Sequence, residues 1–105
     1  MQVMWTKPAK NDLQGIAEYI AQDNITASLE VVDRLLIAGN GLDMFSKRGR
    51  LGDIRGTFEL VVEKTTCNIV YALKGKWVYI LAVVHQSQQW PPSHNKEKII
   101  LELLQ

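Results

Sequence analysis

The chain is short of the residues that most often announce a chemistry. Its 105 residues include one cysteine, two histidines and three prolines. Cys67 cannot close an internal disulfide, and its place in an apolar run suits a small buried hydrophobe better than a reactive thiol. His85 and His94 are separated by a proline pair, so no metal-ligating cluster is expected. No glycine-rich phosphate loop is present either, because Gly49, Gly52 and Gly56 precede a strand pattern and lack the required spacing. Neither a metal nor a nucleotide cofactor is expected. Charge of one sign is lacking as well: 12 Lys and Arg face 11 Asp and Glu, for a net +1. No global field draws the chain to nucleic acid or a membrane, and anion binding requires a local cluster. The start, Met1-Gln2-Val3-Met4-Trp5, meets Lys7 and Pro8 without a signal-peptide core, and no apolar run is long enough to span a bilayer. A cytoplasmic protein with no membrane partner is expected.

What is present is a clear order of apolar periodicities. The length fits one domain with a single core of two packed layers. Gln2 to Thr6 reads as a short strand, after which Thr6 can cap a helix with Pro8 in its first turn. Leu13, Ile16, Ala17 and Ile20 recur at helical spacing up to a break at Asp23-Asn24. A second helix begins at Asn24 or Thr26, with Ile25, Leu29, Val32, Leu36 and Gly39 on one side and Val31 and Leu35 widening the stripe. Gly39 and Gly41 weaken its end. So short a connection predicts an antiparallel helical hairpin whose stripes face a sheet.

The second half supplies that sheet. Thr57 to Glu63, Cys67 to Leu73 and Trp77 to His85 are strand-length apolar stretches joined by hairpin-length links, which predicts three antiparallel strands. In the first, Phe58, Leu60 and Val62 oppose Thr57, Glu59, Val61 and Glu63, as expected with one face covered. In the last, Trp77, Tyr79, Leu81 and Val83 stand against Val78, Ile80, Ala82 and Val84. A strand apolar on both sides belongs in the centre of a sheet. Pro91-Pro92 then close a domain of residues 1–92, and Ser93 can cap a short helical tail, 93–105, carrying Ile99, Ile100, Leu103 and Leu104. Such a tail is too short to be stable alone and must dock, as core or as an interaction handle. The fold class is thus α+β: an N-terminal strand, a helical hairpin on three C-terminal antiparallel strands, and a short C-terminal helix.

Few residues are candidates for chemistry. Ser46 to Gly56 reads as a loop holding four of the basic residues, Lys47, Arg48, Arg50 and Arg55, against a lone Asp53. It is either an ordinary solvated loop or a binder of phosphates or an acidic protein surface. Glu59 and His85 can form an acid–base pair only if their strand ends meet; otherwise they are a solvent-facing carboxylate and a capping imidazole. Trp90, beside two prolines, is either a lid on the sheet or an exposed contact residue.

The whole order resembles the RelE/ParE superfamily of bacterial type II toxins, from about Val3 to Pro91. The residues that carry the resemblance are the helical hairpin, the basic glycine loop, Gly56-Thr57-Phe58-Glu59-Leu60-Val61-Val62, the Val70-Tyr71 strand, Ile80-Leu81 leading to His85, and Trp90-Pro91. Trp5, Ala9, Leu13, Ile16, Tyr19-Ile20 and Ala27 also fit. The resemblance implies a small toxin neutralised by a cognate antitoxin, alone as a possible homodimer or with the antitoxin as a hetero-oligomer. It allows two mechanisms, ribosome-dependent cleavage of mRNA or ParE-like poisoning of DNA gyrase without cleavage. The ribonuclease branch places cations where this chain has Asn68, no lysine beside Glu59, and Gln86-Ser87-Gln88-Gln89. In-line cleavage develops charge on phosphate oxygens that such cations stabilise. Their loss favours the ParE-like group, whose target surface is then expected at Lys47, Arg48, Arg50, Arg55 and Trp90. The nuclease alternative rests on Glu59, His85 and Arg55, with the ribosome and mRNA as partners. An amphipathic antitoxin segment is expected to meet Leu29, Val32 and Leu36, or to displace the tail at Ile99 and Leu103.

Overall fold

A computed structural model describes residues 1–88 and 90. Eight elements follow in order: β1 (Gln2–Trp5), α1 (Lys7–Ala21), α2 (Ile25–Asn40), a 3-10 turn (Gly41–Asp43), β2 (Arg50–Leu51), β3 (Thr57–Val61), β4 (Cys67–Lys74) and β5 (Trp77–His85). The helical tail expected at 93–105 lies outside the described residues.

Both helices begin where their caps predict. The Thr6 hydroxyl accepts the Ala9 N–H at 3.4 Å, and the Asn24 side chain accepts the Ala27 N–H at 3.0 Å, each satisfying a donor that the helix itself leaves free. The Ser28 hydroxyl donates to the Ala17 carbonyl at 2.6 Å and ties the hairpin together.

The sheet has five strands rather than three, in the order β1-β5-β4-β3-β2. The three expected strands pair antiparallel, but β3 ends at Val61, before the expected Glu63. β1 joins parallel to β5, with Trp5 opposite Ile80, because the α1–α2 hairpin returns the chain and lets a distant segment share the edge. β2 forms inside the segment read as loop, where Arg50 and Leu51 pair with Glu59 and Phe58. β5 is central as expected, flanked by β1 and β4. Where β1 stops, the Asp12 carboxylate on α1 accepts the Val83 N–H at 3.1 Å and caps the exposed edge of β5.

One register shift corrects the expected facing of β5. Val70 pairs with Ala82 and Tyr71 with Ile80, leaving Leu81 as the extra residue of a β-bulge. Beyond it the alternation is reset. Val83 therefore joins Val78 and Ile80 beneath the helices, while Leu81 and Ala82 lie on the other face.

Two apolar clusters result. The larger packs Ala9, Leu35 and Leu42 against Leu60, Val62, Cys67, Ile69, Tyr71, Val78, Ile80 and Val83. The smaller lies on the outer face and joins Ile54 and Trp90 to Val70, Ala72, Leu81 and Ala82.

The second helix corrects another expectation. Its buried residues are Ser28, Leu35 and Gly39, with Val31 and Ala38 packed on the core. At about 100° per residue this arc is rotated by roughly a quarter turn from the one through Ile25, Leu29, Val32 and Leu36. Gly39, read as a weak helix end, is required: a Cβ there would collide with the Trp5 ring, and the same indole donates from Nε1 to the Asn40 side chain at 2.9 Å.

Candidate functional site

The rotation of α2 leaves an apolar stripe in solvent. Ile25, Leu29 and Ile37 are 68, 67 and 65 % exposed, Leu36 is at the exposed limit, and Val32 is half-buried between them. The stripe continues past the 3-10 turn. Buried Leu42 anchors that turn, and Met44 and Phe45 beyond it are 79 and 65 % exposed. Ile37, Met44 and Phe45 were not singled out from the sequence. Ile37 sits off the i, i+4 row, and the adjacent Met44-Phe45 pair has no period that distinguishes surface from core.

The basic loop starts directly after Phe45. Its path is set by backbone anchors: Arg48 N–H donates to the Phe45 carbonyl at 3.1 Å, and Gly49 N–H donates to the Tyr71 hydroxyl at 2.9 Å. Tyr71 is buried and stacked on Phe58 with ring centroids 5.3 Å apart, so this anchor reaches into the core. Burial raises its phenol pKa above the ordinary value, and the Gly49 hydrogen bond opposes that shift. Gly49 passes so close to the Glu59 carbonyl and the Tyr71 hydroxyl that a side chain there would force both to move.

Lys47, Arg48, Arg50 and Arg55 are all exposed. Arg50 reaches the Glu59 carboxylate at 3.4 Å; the guanidinium is exposed and the carboxylate half-buried, a long contact of small energetic weight. Arg48 and Arg50 line a groove of about 360 Å³ with Ala38, Glu59 and the strand edge from Leu60 to Glu63. That edge is open because β2 pairs only Phe58 and Glu59. A second hollow, about 690 Å³, lies over Met44 to Arg48. The loop thus joins apolar and cationic surface along one border.

The structure does not bring Glu59 and His85 together. Glu59 is opposite Val70, and His85 is opposite Cys67. Directly opposed residues share a face, and Val70 belongs to the outer cluster while Cys67 belongs to the helix-covered one. The two side chains therefore lie on opposite faces, with β4 between their strands and about 10 Å of offset along it. His85 is engaged locally: Ser87 N–H donates to its Nδ1 at 3.1 Å, which places the imidazole proton on Nε2, and the Ser87 hydroxyl lies 2.6 Å from the same nitrogen. The Gln88 side chain accepts the His85 N–H at 3.2 Å. Arg55 is in the turn before β3, beside Gly56 at φ +88°.

Other candidates resolve plainly. Trp90 is 3 % exposed and packs on the outer sheet face, so it is a lid; an indole buried in that cluster cannot serve as an exposed target contact. Asn68 is buried on the same face, and its Oδ1 has no hydrogen-bond partner. A neutral amide therefore stands there, with no cation. Cys67 is buried among core side chains, and desolvation raises its thiol pKa, ahead of an opposing hydrogen bond from Thr66. Ile99 and Leu103 lie outside the described residues. Among the described residues no group of three or more His, Cys, Asp or Glu side chains could hold a metal ion, and no helix is long and apolar enough to cross a membrane.

Comparison with known proteins adds to this geometry. The family model described as ParE toxin of type II toxin-antitoxin system, parDE, matches residues 3–90. A Sinorhizobium fredii protein named "Putative toxin Y4kP" is 37 % identical over 90 residues, which cover 86 % of this chain and 93 % of that one. A solved structure titled "Chromosomal ParDE TA system from P. aeruginosa" shares the fold with a TM-score of 0.74 at 24 % identity, over 81 % of this chain and 95 % of that chain. With a family match across nearly the whole described length and a relative this similar over most of both chains, the protein belongs to the ParE toxin family of type II toxin-antitoxin systems.

Proposed function

We propose that this toxin acts by binding, inhibiting DNA gyrase in the cytoplasm, and that a cognate antitoxin neutralises it by covering the outer stripe of α2. The observation that supports binding over chemistry is the separation of Glu59 from His85 by the thickness of the sheet. Cleaving a phosphodiester requires an acid, a base and preorganised cations converging on one phosphate. Here the carboxylate is tied to Arg50, the imidazole nitrogen is tied to Ser87, and Asn68 contributes no charge.

The target surface in this reading is the exposed loop of Lys47, Arg48, Arg50 and Arg55, whose cations suit an acidic protein surface. The antitoxin surface is Leu29, Val32 and Leu36, extended by Ile25 and Ile37. An amphipathic helix laid along them buries its apolar face by the helix-in-groove mode. Toxin and antitoxin then form a hetero-oligomer, to which Ile99 and Leu103 contribute if the tail takes part. Deleting the residues after Pro92 tests that contribution: antitoxin affinity falls if the tail takes part and is unchanged if it does not.

The test of the target is a pair of assays on the purified toxin. Gyrase supercoiling is expected to stop while a translated mRNA on ribosomes stays intact. Unaffected supercoiling at high excess, together with cleaved mRNA, rejects the reading in favour of a ribosome-dependent endonuclease.

A further inference from the structure

Charge is unevenly distributed along the chain in a way that its net value conceals. Residues 1–11 and 64–88 contain no Asp or Glu, yet they hold Lys7, Lys10, Lys64, Lys74 and Lys76. These stretches include all of β1, β4 and β5, three adjacent strands of the sheet. These three strands therefore carry no carboxylate of their own.

An aromatic pair sits at the corner of that side. Trp77 is opposite both Gln2 and Lys74, and Tyr79 is opposite both Met4 and Ala72. Ala72 belongs to the outer cluster, so these residues stand on the sheet face away from the helices. Trp77 and Tyr79 stack with centroids 6.3 Å apart and planes 30° from parallel. Both are half-buried, and Met4 and Lys74 beside them are exposed.

Trp77 also differs from the other tryptophans and from the Phe58–Tyr71 pair. The Phe58–Tyr71 stack lies at the core, Trp90 is sealed in the outer cluster, and the Trp5 indole N–H is bound to Asn40. Trp77 belongs to neither cluster. A large planar side chain that contributes to neither cluster, next to lysines with no ion-pair partner among the described residues, has the composition of a stacking platform for a polyanion.

We propose that the corner formed by Trp77, Tyr79, Lys74 and Lys76 binds single-stranded nucleic acid, with an unpaired base stacked on the Trp77–Tyr79 pair and its flanking phosphates on the two lysines. An unpaired strand fits and a duplex does not, because only unstacked bases expose their faces to an aromatic side chain. An acidic peptide would satisfy the lysines without using the aromatic pair. The site shares no residue with the basic cluster of the Lys47 to Arg55 loop or with the α2 stripe, so it holds whichever target the toxin has.

The experiment is fluorescence anisotropy of labelled oligothymidylate and oligouridylate, each about 15 nucleotides long, against the full-length protein, with a duplex of equal length as comparison. Weak binding in the micromolar range is expected, tighter for the single strands than for the duplex. Two phosphate contacts predict a loss of about sevenfold between about 50 and 200 mM salt, and Lys74→Gln with Lys76→Gln should abolish that dependence. Trp77→Ala should weaken binding at least about fivefold, while Trp77→Phe, which keeps a ring, retains most of it. Equal melting temperatures for the two Trp77 variants separate loss of stacking from loss of fold. A preference between the two oligomers, which differ in both the sugar and the thymine methyl group, supports the proposal. No anisotropy change at about 0.1 mM protein overturns it, as does equal binding of the duplex. Unchanged oligonucleotide binding in the Trp77→Ala protein, with antitoxin or gyrase binding lost instead, overturns it and assigns the corner to a protein partner.

Discussion

Leu29 and Leu35 are the same residue type on the same helix, and their replacement by alanine should separate recognition from folding. Leu29 is 67 % exposed, whereas Leu35 is fully buried between the helical hairpin and the sheet. Full burial of a leucine side chain is worth about 1.5–3 kcal/mol. Only a third of that is realised at Leu29 in the free toxin, so Leu29→Ala should cost under about 1 kcal/mol of stability, partly offset by the higher helix propensity of alanine. The remaining two-thirds, about 1–2 kcal/mol, is available to a partner that covers the stripe, and its loss weakens antitoxin binding about 5- to 30-fold. Leu35→Ala removes a fully packed side chain and should cost about 2–5 kcal/mol of folding stability. In a domain of this size that lowers the melting temperature by roughly 10 °C or more. Thermal melts followed by circular dichroism give the first quantity, and titration of each folded variant with the cognate antitoxin gives the second. The reasoning fails if Leu29→Ala melts as early as Leu35→Ala, or if it binds the antitoxin as tightly as the unaltered toxin.

Three further outcomes follow from individual contacts. Gly39→Ala should destabilise the fold by about 1–3 kcal/mol in a melt, although alanine is the better helix former, because the new methyl group meets the Trp5 ring. Tyr71→Phe leaves the Gly49 N–H without its acceptor; it should cost about 1–3 kcal/mol and speed exchange of the Gly49 amide measured by NMR. Burial raises the pKa values of Cys67 and Tyr71, so the unfolded chain loses their protons first as pH rises. The contribution of these two groups should be constant below about pH 8.5, so denaturant titrations should show stability declining above that pH, and Cys67→Ala should delay the onset towards about pH 10.

Local chemistry made much of this protein readable in its sequence. Thr6 and Asn24 fix the helix starts because their side chains accept N–H groups that any helix leaves unpaired. Alternation in 57–62 and the short links after it fix an antiparallel hairpin order, because side chains of a strand must alternate between faces. The basic loop was equally plain, since charge is a property of composition, and the family resemblance rested on the same order of elements. Tertiary structure decided the rest. The apolar residues of α2 span more of its circumference than one contact can bury. Ser28 against α1 and Gly39 against Trp5 chose which half was covered, leaving Leu29 in solvent. A single extra residue in β5 turned Val83 towards the helices and Ala82 away, and the register of three strands then put Glu59 and His85 on opposite faces. Periodicity shows which residues are able to be buried, while only packing against distant segments selects which of them are.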